Sequence, residues 1–440
     1  MKRRLLGMGA LMCLGLAGCS QQVASTPTTV APTEVVTEAP TESTTEVETT
    51  IATESNMSEM PAVETSVEKD GDISVSSDHR FDESDSDPVL KLFKEYMAAN
   101  EGKNFVFSPY SIRDALSLLA PAADEVALKE FKDVLGITED RTCFEVLDTL
   151  AKDKEGFDVA NKAYLSDTLY EGEINTEYLD VDDFQTINMA GDGADIINSW
   201  VSDVTKDKIN NLVSKDAITD SALVLVNALY FNQKFKETYE ESSLSWNNGD
   251  GYVSFVGSAE SADVLEPNED IDVLRLKYAD TDYSLYIICD NNNSQEKGVA
   301  NFIKGLSAEE FDALFKEGER EFDKVTFAVP NFEIDSKDSV ANMLGNLGMQ
   351  AAFDSQNSHF SKLGDVYVSD VIHGAYIKTD KTGTEAAGAT AITMERCSAA
   401  IDEVTKHVVA DSDFMFVVRD NKMNTTLFAG MVCEPTTPVE

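Results

Sequence analysis

Residues 222–231 read ALVLVNALYF, an apolar run interrupted only by Asn227 and bounded by polar residues. Successive strand side chains point to opposite faces, so a run this short and this uniformly apolar is the mark of a strand buried on both sides. It forces a layered architecture in which each face of a central sheet is covered. Around it, Leu90, Phe93, Tyr96 and Met97 recur at helical spacing, and residues 111–119 read as a helix packed into a core. Residues 325–329, 367–377 and 414–418 read as strands, and 338–349 as a helix ended by Gly348. Helices and strands mix without a regular βαβ repeat, which predicts an α+β fold. No internal repeat is present.

Charge narrows the function. Against 80 Asp+Glu stand 35 Lys+Arg, a formal net charge of −45, and this field repels nucleic acid and anionic lipid surfaces. Four His leave little for His-based metal chemistry, and with so many acids a close carboxylate pair carries no information about glycoside hydrolysis. Hydrophobic residues, 42% of the chain, suffice for a large core.

The first 85 residues differ from the rest. Lys2, Arg3 and Arg4 precede a short apolar stretch that ends in Leu16-Ala17-Gly18-Cys19. This order resembles a bacterial lipoprotein signal: residues 1–18 are removed and Cys19 takes a lipid that anchors the chain without spanning the membrane. Residues 19–85 are rich in Thr, Ser, Glu and Pro and poor in large apolar side chains. Such a segment buries too little surface to offset its ordering entropy, which predicts a disordered acidic spacer. As a flexible chain it spans about 45 Å, more with charge repulsion. Residues 86–440 are the folded domain.

Enzyme motifs fail. There is no G-x-S-x-G elbow, no H-E-x-x-H and no complete EF-hand loop. Residues 383–390 superficially read as a phosphate loop, but Ala389 stands where the phosphate-binding Lys must be. Beyond Cys19, the mature cysteines Cys143, Cys289, Cys397 and Cys433 form no C-x-x-C pair, and Cys289 reads as a buried free thiol. No metal site, cofactor or catalytic residue is expected.

From residue 104 onward the chain resembles the serpins. The segments that carry the resemblance are NFVFSPYSI (104–112), IINSWVSDVTKDKINNLV (196–213), LVLVNALYFNQKF (223–235), VPNFEIDSKDSVANMLGNLGMQAAF (329–353), VYVSDVIHGAYIKTDKTGTEAAGATA (366–391) and FMFVVRDNKMNTTLFAGMVCEP (414–435). They occur in the family's order and extend the resemblance over roughly residues 86–438. It implies three β-sheets, eight or nine helices and an exposed reactive-centre loop. It also implies suicide inhibition: a protease cuts the loop, whose N-terminal arm then inserts into the main sheet and deforms the acyl-enzyme. Serpin loop insertion is itself a standard example of strand addition and of released strain.

The residues meet that requirement independently. If the hinge Gly383, Thr384, Glu385, Ala386, Ala387, Gly388, Ala389, Thr390 continues as a strand, one face is Thr384, Ala386, Gly388, Thr390, Ile392 and Met394, with no charge. Both acids, Glu385 and Glu395, fall on the other face. Counting from the hinge glycine as in the family places the scissile bond after Cys397, before Ser398, with Arg396 as the alternative specificity residue. Cys397 suits an elastase-like pocket and Arg396 a trypsin-like one. Ser108, Ser111, Asn227 and His373 match the family's shutter, a polar cluster beneath the sheet opening. Two positions at the top of the sheet depart from the family. Phe235 replaces the usual Trp, and Lys381 stands where a Glu usually pairs with a Lys, leaving that ion pair absent or reversed.

The expectation is therefore a monomeric, lipid-anchored serpin on the bacterial cell surface. It would trap secreted or host serine proteases of elastase-like, trypsin-like or subtilisin-like specificity, with no nucleic-acid partner. A non-inhibitory serpin-fold surface binding protein is the alternative.

Overall fold

A computed structural model describes residues 86–137, 156–168, 183–247, 251–258, 262–291, 298–316, 324–384 and 405–436. The lipidation candidate Cys19, the spacer, Cys143, hinge positions 385–390 and the scissile-bond candidates Arg396, Cys397 and Ser398 lie outside the described residues. In chain order the elements are α1 (Ser86–Ala99), β1 (Phe105–Phe107), α2 (Pro109–Ser117), α3 (Glu125–Leu135), β2 (Phe157–Ser166), β3 (Phe184–Ile187), α4 (Gly193–Val204), α5 (Lys215–Ile218), β4 (Leu223–Phe231), β5 (Gln233–Lys234), β6 (Glu240–Ser245), β7 (Gly251–Ser258), β8 (Ala262–Asn268), β9 (Ile271–Lys277), β10 (Tyr283–Asp290), α6 (Gly298–Gly305), α7 (Ala308–Ala313), β11 (Lys324–Pro330), β12 (Phe332–Ser339), α8 (Ala341–Asn346), β13 (Asp370–Asp380), β14 (Gly383–Thr384), β15 (Thr405–Val409), β16 (Phe414–Asp420) and β17 (Thr425–Val432). Among the described residues these make eight α-helices and three sheets, the α+β class expected.

The largest sheet runs β3-β2-β4-β13-β14-β5, with β12 on the other side of β13. A six-stranded sheet runs β1-β17-β16-β10-β9-β8, and a four-stranded one β15-β11-β7-β6. Strand β4 is buried at every position. Leu223, Leu225, Leu229 and Phe231 face the main core, where they meet the second sheet. Val224, Val226 and Ala228 face a smaller cluster built with Ile197 and Val201 of α4 and with Ile209 and Leu212. The apolar run thus has a layer on each side, as its composition demanded. Each fully buried aliphatic side chain contributes roughly 1.5–3 kcal/mol, so α4 is held on its face of the sheet chiefly by this contact.

Two segment boundaries are corrected. The reading of 338–349 as one helix fails at its start: Asp338 and Ser339 are strand, in register with His373 and Ile372, and the helix is only Ala341–Asn346. Ladder hydrogen bonds to β13 outweigh the local helical pattern there. The strand read over 367–377 begins at Asp370 and continues to Asp380. Gly348 does follow the helix, in a left-handed conformation.

Phe231 is a keystone of the main core. Its ring meets those of Phe157, Tyr278, Tyr283 and Phe428 at centroid distances of 6.0, 5.2, 5.7 and 6.1 Å. Phe231→Ala should cost about 3–5 kcal/mol, read as a shift of the urea unfolding transition. A change under about 1 kcal/mol would contradict this packing.

Candidate functional site

The main sheet is forked. Strands β4 and β13 run parallel and pair from Val224↔Asp370 to Leu229↔Ala375, then part. Above the fork β14 sits between β13 and β5, antiparallel to both: Thr384 lies opposite Thr379 and Gln233, and Gly383 opposite Asp380 and Lys234. Only glycine fits at 383. Its φ is +150°, and a Cβ there would lie 2.2 Å from the Gln233 carbonyl oxygen and 2.7 Å from the Lys234 Cα. Thr384 is fully buried and faces the main core. The first two hinge residues are therefore seated in the sheet.

Below the fork the structure brings Ser108, Ser111, Asn227 and His373 together, all with no solvent exposure. Ser108 is the N-cap of α2 and accepts from the Ser111 amide, with Pro109 opening the helix. The Ser108 amide donates to His373 Nε2 at 3.0 Å. Nε2 is thus an acceptor, so the ring proton sits on Nδ1 and is donated to Asn227 Oδ1 at 2.7 Å. The Asn227 amide group donates to Ser111 Oγ at 2.5 Å and to Asn161 Oδ1. Asn161 in turn donates to the buried carboxylate of Asp114. The network ties α2 to β2, β4 and β13, and its central bond joins the two strands of the fork.

Asn161 and Asp114 were not singled out from sequence. The available signals were a polar residue inside a strand and an acid inside a helix read as core. Burial pushes the His373 imidazole down to about 3 from its ordinary 6.5. Asp338, its cross-strand neighbour on β12, is pushed upward by burial.

Above the network, Phe235 is buried and stacks on Tyr278 at 5.2 Å and 10°, with Tyr239 and Phe255 at 5.4 and 5.8 Å. The Phe235 amide donates to the Thr382 carbonyl at 3.0 Å, and the Tyr239 amide to the Lys381 carbonyl at 2.9 Å. Lys381 has an acidic partner, Glu241 of β6, at 3.2 Å, with both side chains well exposed. Such a surface pair is worth at most about 1 kcal/mol.

A strap, residues 205–213, crosses the sheet where it forks. Lys206 stands over the Tyr230 ring of β4 at 4.6 Å, and Lys208 over the Tyr376 ring of β13 at 5.7 Å. Lys206, Asp207 and Asn211 have φ of 52°, 63° and 55°, a left-handed backbone costly for residues with a Cβ. Among the described residues no group of His, Cys, Asp and Glu is arranged to hold a metal ion.

Residues 83–435 match the family described as Serpin (serine protease inhibitor). A serpin-like protein of Methanosarcina acetivorans is 25% identical over 366 residues, 77% of this chain and 84% of the relative. Iripin-3 of Ixodes ricinus is 28% identical over 366 residues, 76% of this chain and 90% of the relative. Among solved structures, the thermophilic serpin Tengpin in its native state superposes with a TM-score of 0.67 at 23% identity, covering 80% of this chain and 95% of that one. Serpin48 of the insect Tenebrio molitor does so with a TM-score of 0.67 at 22% identity, covering 80% and 98%.

The network should make stability pH-dependent. The unfolded chain takes a proton at His373 below about 6.5, whereas the folded chain resists it down to about 3. The unfolded state therefore binds more protons in that window, and stability is present above it and lost as pH falls through it. His373→Gln should be less stable at pH 7.5, by roughly 1–3 kcal/mol for the broken network, with a shallower loss between pH 6.5 and 4. Parallel urea-midpoint-versus-pH curves for the two proteins would refute this assignment.

Proposed function

The chain belongs to the serpin family, a family of protease inhibitors rather than enzymes, and we propose that it inhibits serine proteases as a suicide substrate. The observation that carries this reading is the seated hinge at the fork. Strand β14 is already antiparallel to both neighbours and in register to continue downward. Continued residue by residue, that register sets Ala386 opposite Ile377 and Phe231, Gly388 opposite Ala375 and Leu229, and Thr390 opposite His373 and Asn227. These are the small, uncharged positions of the alternating hinge, and they would enter the main core.

The energetics favour insertion once the loop is free. Six parallel pairs between β4 and β13 would give way to two antiparallel ladders, with more and straighter backbone hydrogen bonds. Insertion also has to break the His373–Asn227 bond, and a Thr390 hydroxyl arriving between these side chains would supply a replacement partner. The uncut loop cannot complete this move while both of its ends are held, by β14 at one end and by β15 paired to β11 at the other. Cutting the loop releases one end. A protease still joined to that end as an acyl-enzyme would be carried along the sheet, faster than it can hydrolyse if inhibition is to succeed.

Cys397 is the proposed specificity residue, with Ser398 after the cut and Arg396 as the alternative. Cys19 is the proposed lipid anchor, displaying the inhibitor on the bacterial surface at the end of the acidic spacer. A Cys19→Ala chain should leave the membrane fraction.

The test mixes the Cys19→Ala chain with elastase, trypsin and subtilisin and follows the products on denaturing gels and by mass spectrometry. A complex that survives denaturation is expected, together with a released peptide starting at Ser398. A peptide starting at Cys397 would assign Arg396 instead. Cleavage without any complex would overturn the trapping mechanism in favour of a non-inhibitory binding role. Ala386→Arg should convert trapping into turnover, because in this register its cation would have to enter the core between Ile377 and Phe231 as the strand inserts. Unchanged stoichiometry of inhibition in that variant would show the register to be wrong.

A further inference from the structure

We propose that Tyr278 is a positioning residue, a latch that holds the start of the hinge in the sheet before any cut is made. The inference deepens the insertion reading above and rests on it. Three segments each bring one hydroxyl to the same point. The Tyr278 hydroxyl lies 2.5 Å from Thr384 Oγ1, and Thr384 Oγ1 lies 3.1 Å from Thr379 Oγ1. Tyr278, Thr379 and Thr384 are each exposed by 2% or less, so the three hydroxyls satisfy one another away from solvent. A buried hydroxyl without a partner is costly, and Thr384 is seated here without that penalty because both partners are present.

The Tyr278 ring has little freedom to turn away. It is stacked on Phe235 and meets Phe231 edge-on at 5.2 Å. Its backbone bridges Phe235, and its amide donates to the Tyr283 carbonyl. The hydroxyl is therefore presented from a rigid aromatic wall to Thr384, a hinge side chain that is already inside the sheet. Around it, the Phe235 amide grips the Thr382 carbonyl and Gly383 threads a gap only a glycine can pass. The latch has two consequences. It withholds residues 383–384 from the exposed loop, and it fixes the register from which insertion continues. Tyr278 thus sets how readily the loop presents itself and how reliably it enters in the right frame.

Amide hydrogen exchange on the purified chain, with no protease present, tests this directly. In Tyr278→Phe the Phe235 amide, whose acceptor is the Thr382 carbonyl, should exchange about fivefold faster than in the wild type, with β10 and β16 unchanged. Thr384→Val should show the same local acceleration, and Thr384→Ser, which keeps the hydroxyl, should retain wild-type protection. Unchanged exchange at Phe235 in both Tyr278→Phe and Thr384→Val overturns the latch. So does acceleration spread equally over β10 and β16, which would mark Tyr278 as an ordinary core residue. If the wild-type chain forms no covalent complex with elastase, trypsin or subtilisin, the trapping reading fails, while the latch still stands or falls on the exchange rates alone.

Discussion

One hydrogen bond organises the centre of this molecule: His373 Nδ1–H to Asn227 Oδ1, across the parallel pair β4 and β13. Both residues are fully buried in strands whose other inward positions, Thr379 apart, are apolar, so neither side chain has water to fall back on. Their remaining hydrogen-bonding groups are met by the Ser108 amide, Ser111 and Asn161. A buried network of this kind is strong only while it is complete, since a single missing partner strands the others in a low dielectric. The depressed imidazole follows from the same burial: a proton on Nε2 would meet the Ser108 N–H instead of an acceptor.

The network closes the lower half of a sheet that forks above it. Parallel strands that pair over six positions and then part leave a slot, and among the described residues Gly383 and Thr384 fill its top. The strap at 205–213 lies over the fork on the opposite face, its lysines set over one tyrosine from each strand. Three constraints thus bear on one line of the structure: the Asn227–His373 bond within the sheet, the strap in front, and the seated hinge above. In the proposed mechanism this line is where the sheet must open. A kinetic barrier made of several individually modest contacts would suit the proposed mechanism, in which the sheet stays latched and closed until the loop is cut, because no single contact stores the whole barrier.

Phe235 shows how a departure at one position is absorbed by its surroundings. Its side chain has no N–H to offer, but it packs face-on against Tyr278, whose hydroxyl makes a hydrogen bond with Thr384 at the top of the sheet. Lys381 is similar: the reversed charge finds Glu241 on β6, at the surface, where the exchange of one ion pair for another changes little.

The fold was legible in the sequence because its signals are local and repeated. The run 222–231 announces a strand buried on both faces, the 3.6-residue spacing of α1 announces a helix, and the alternation from Thr384 onward announces a segment fit to become a strand. Four members of the buried network could be named from motif positions alone. Tertiary structure alone decided the rest. Asp338 and Ser339 are strand because β13 offers them a ladder, which no local pattern encodes. Asn161 and Asp114 join the network because register sets Asn161 opposite Asn227, and α2 sets Asp114 beside Asn161. Tyr278 meets Thr384 across 106 residues of sequence. Local chemistry can specify which elements form, but hydrogen-bond partners this far apart are chosen by packing and strand register, and those exist only once the chain has folded.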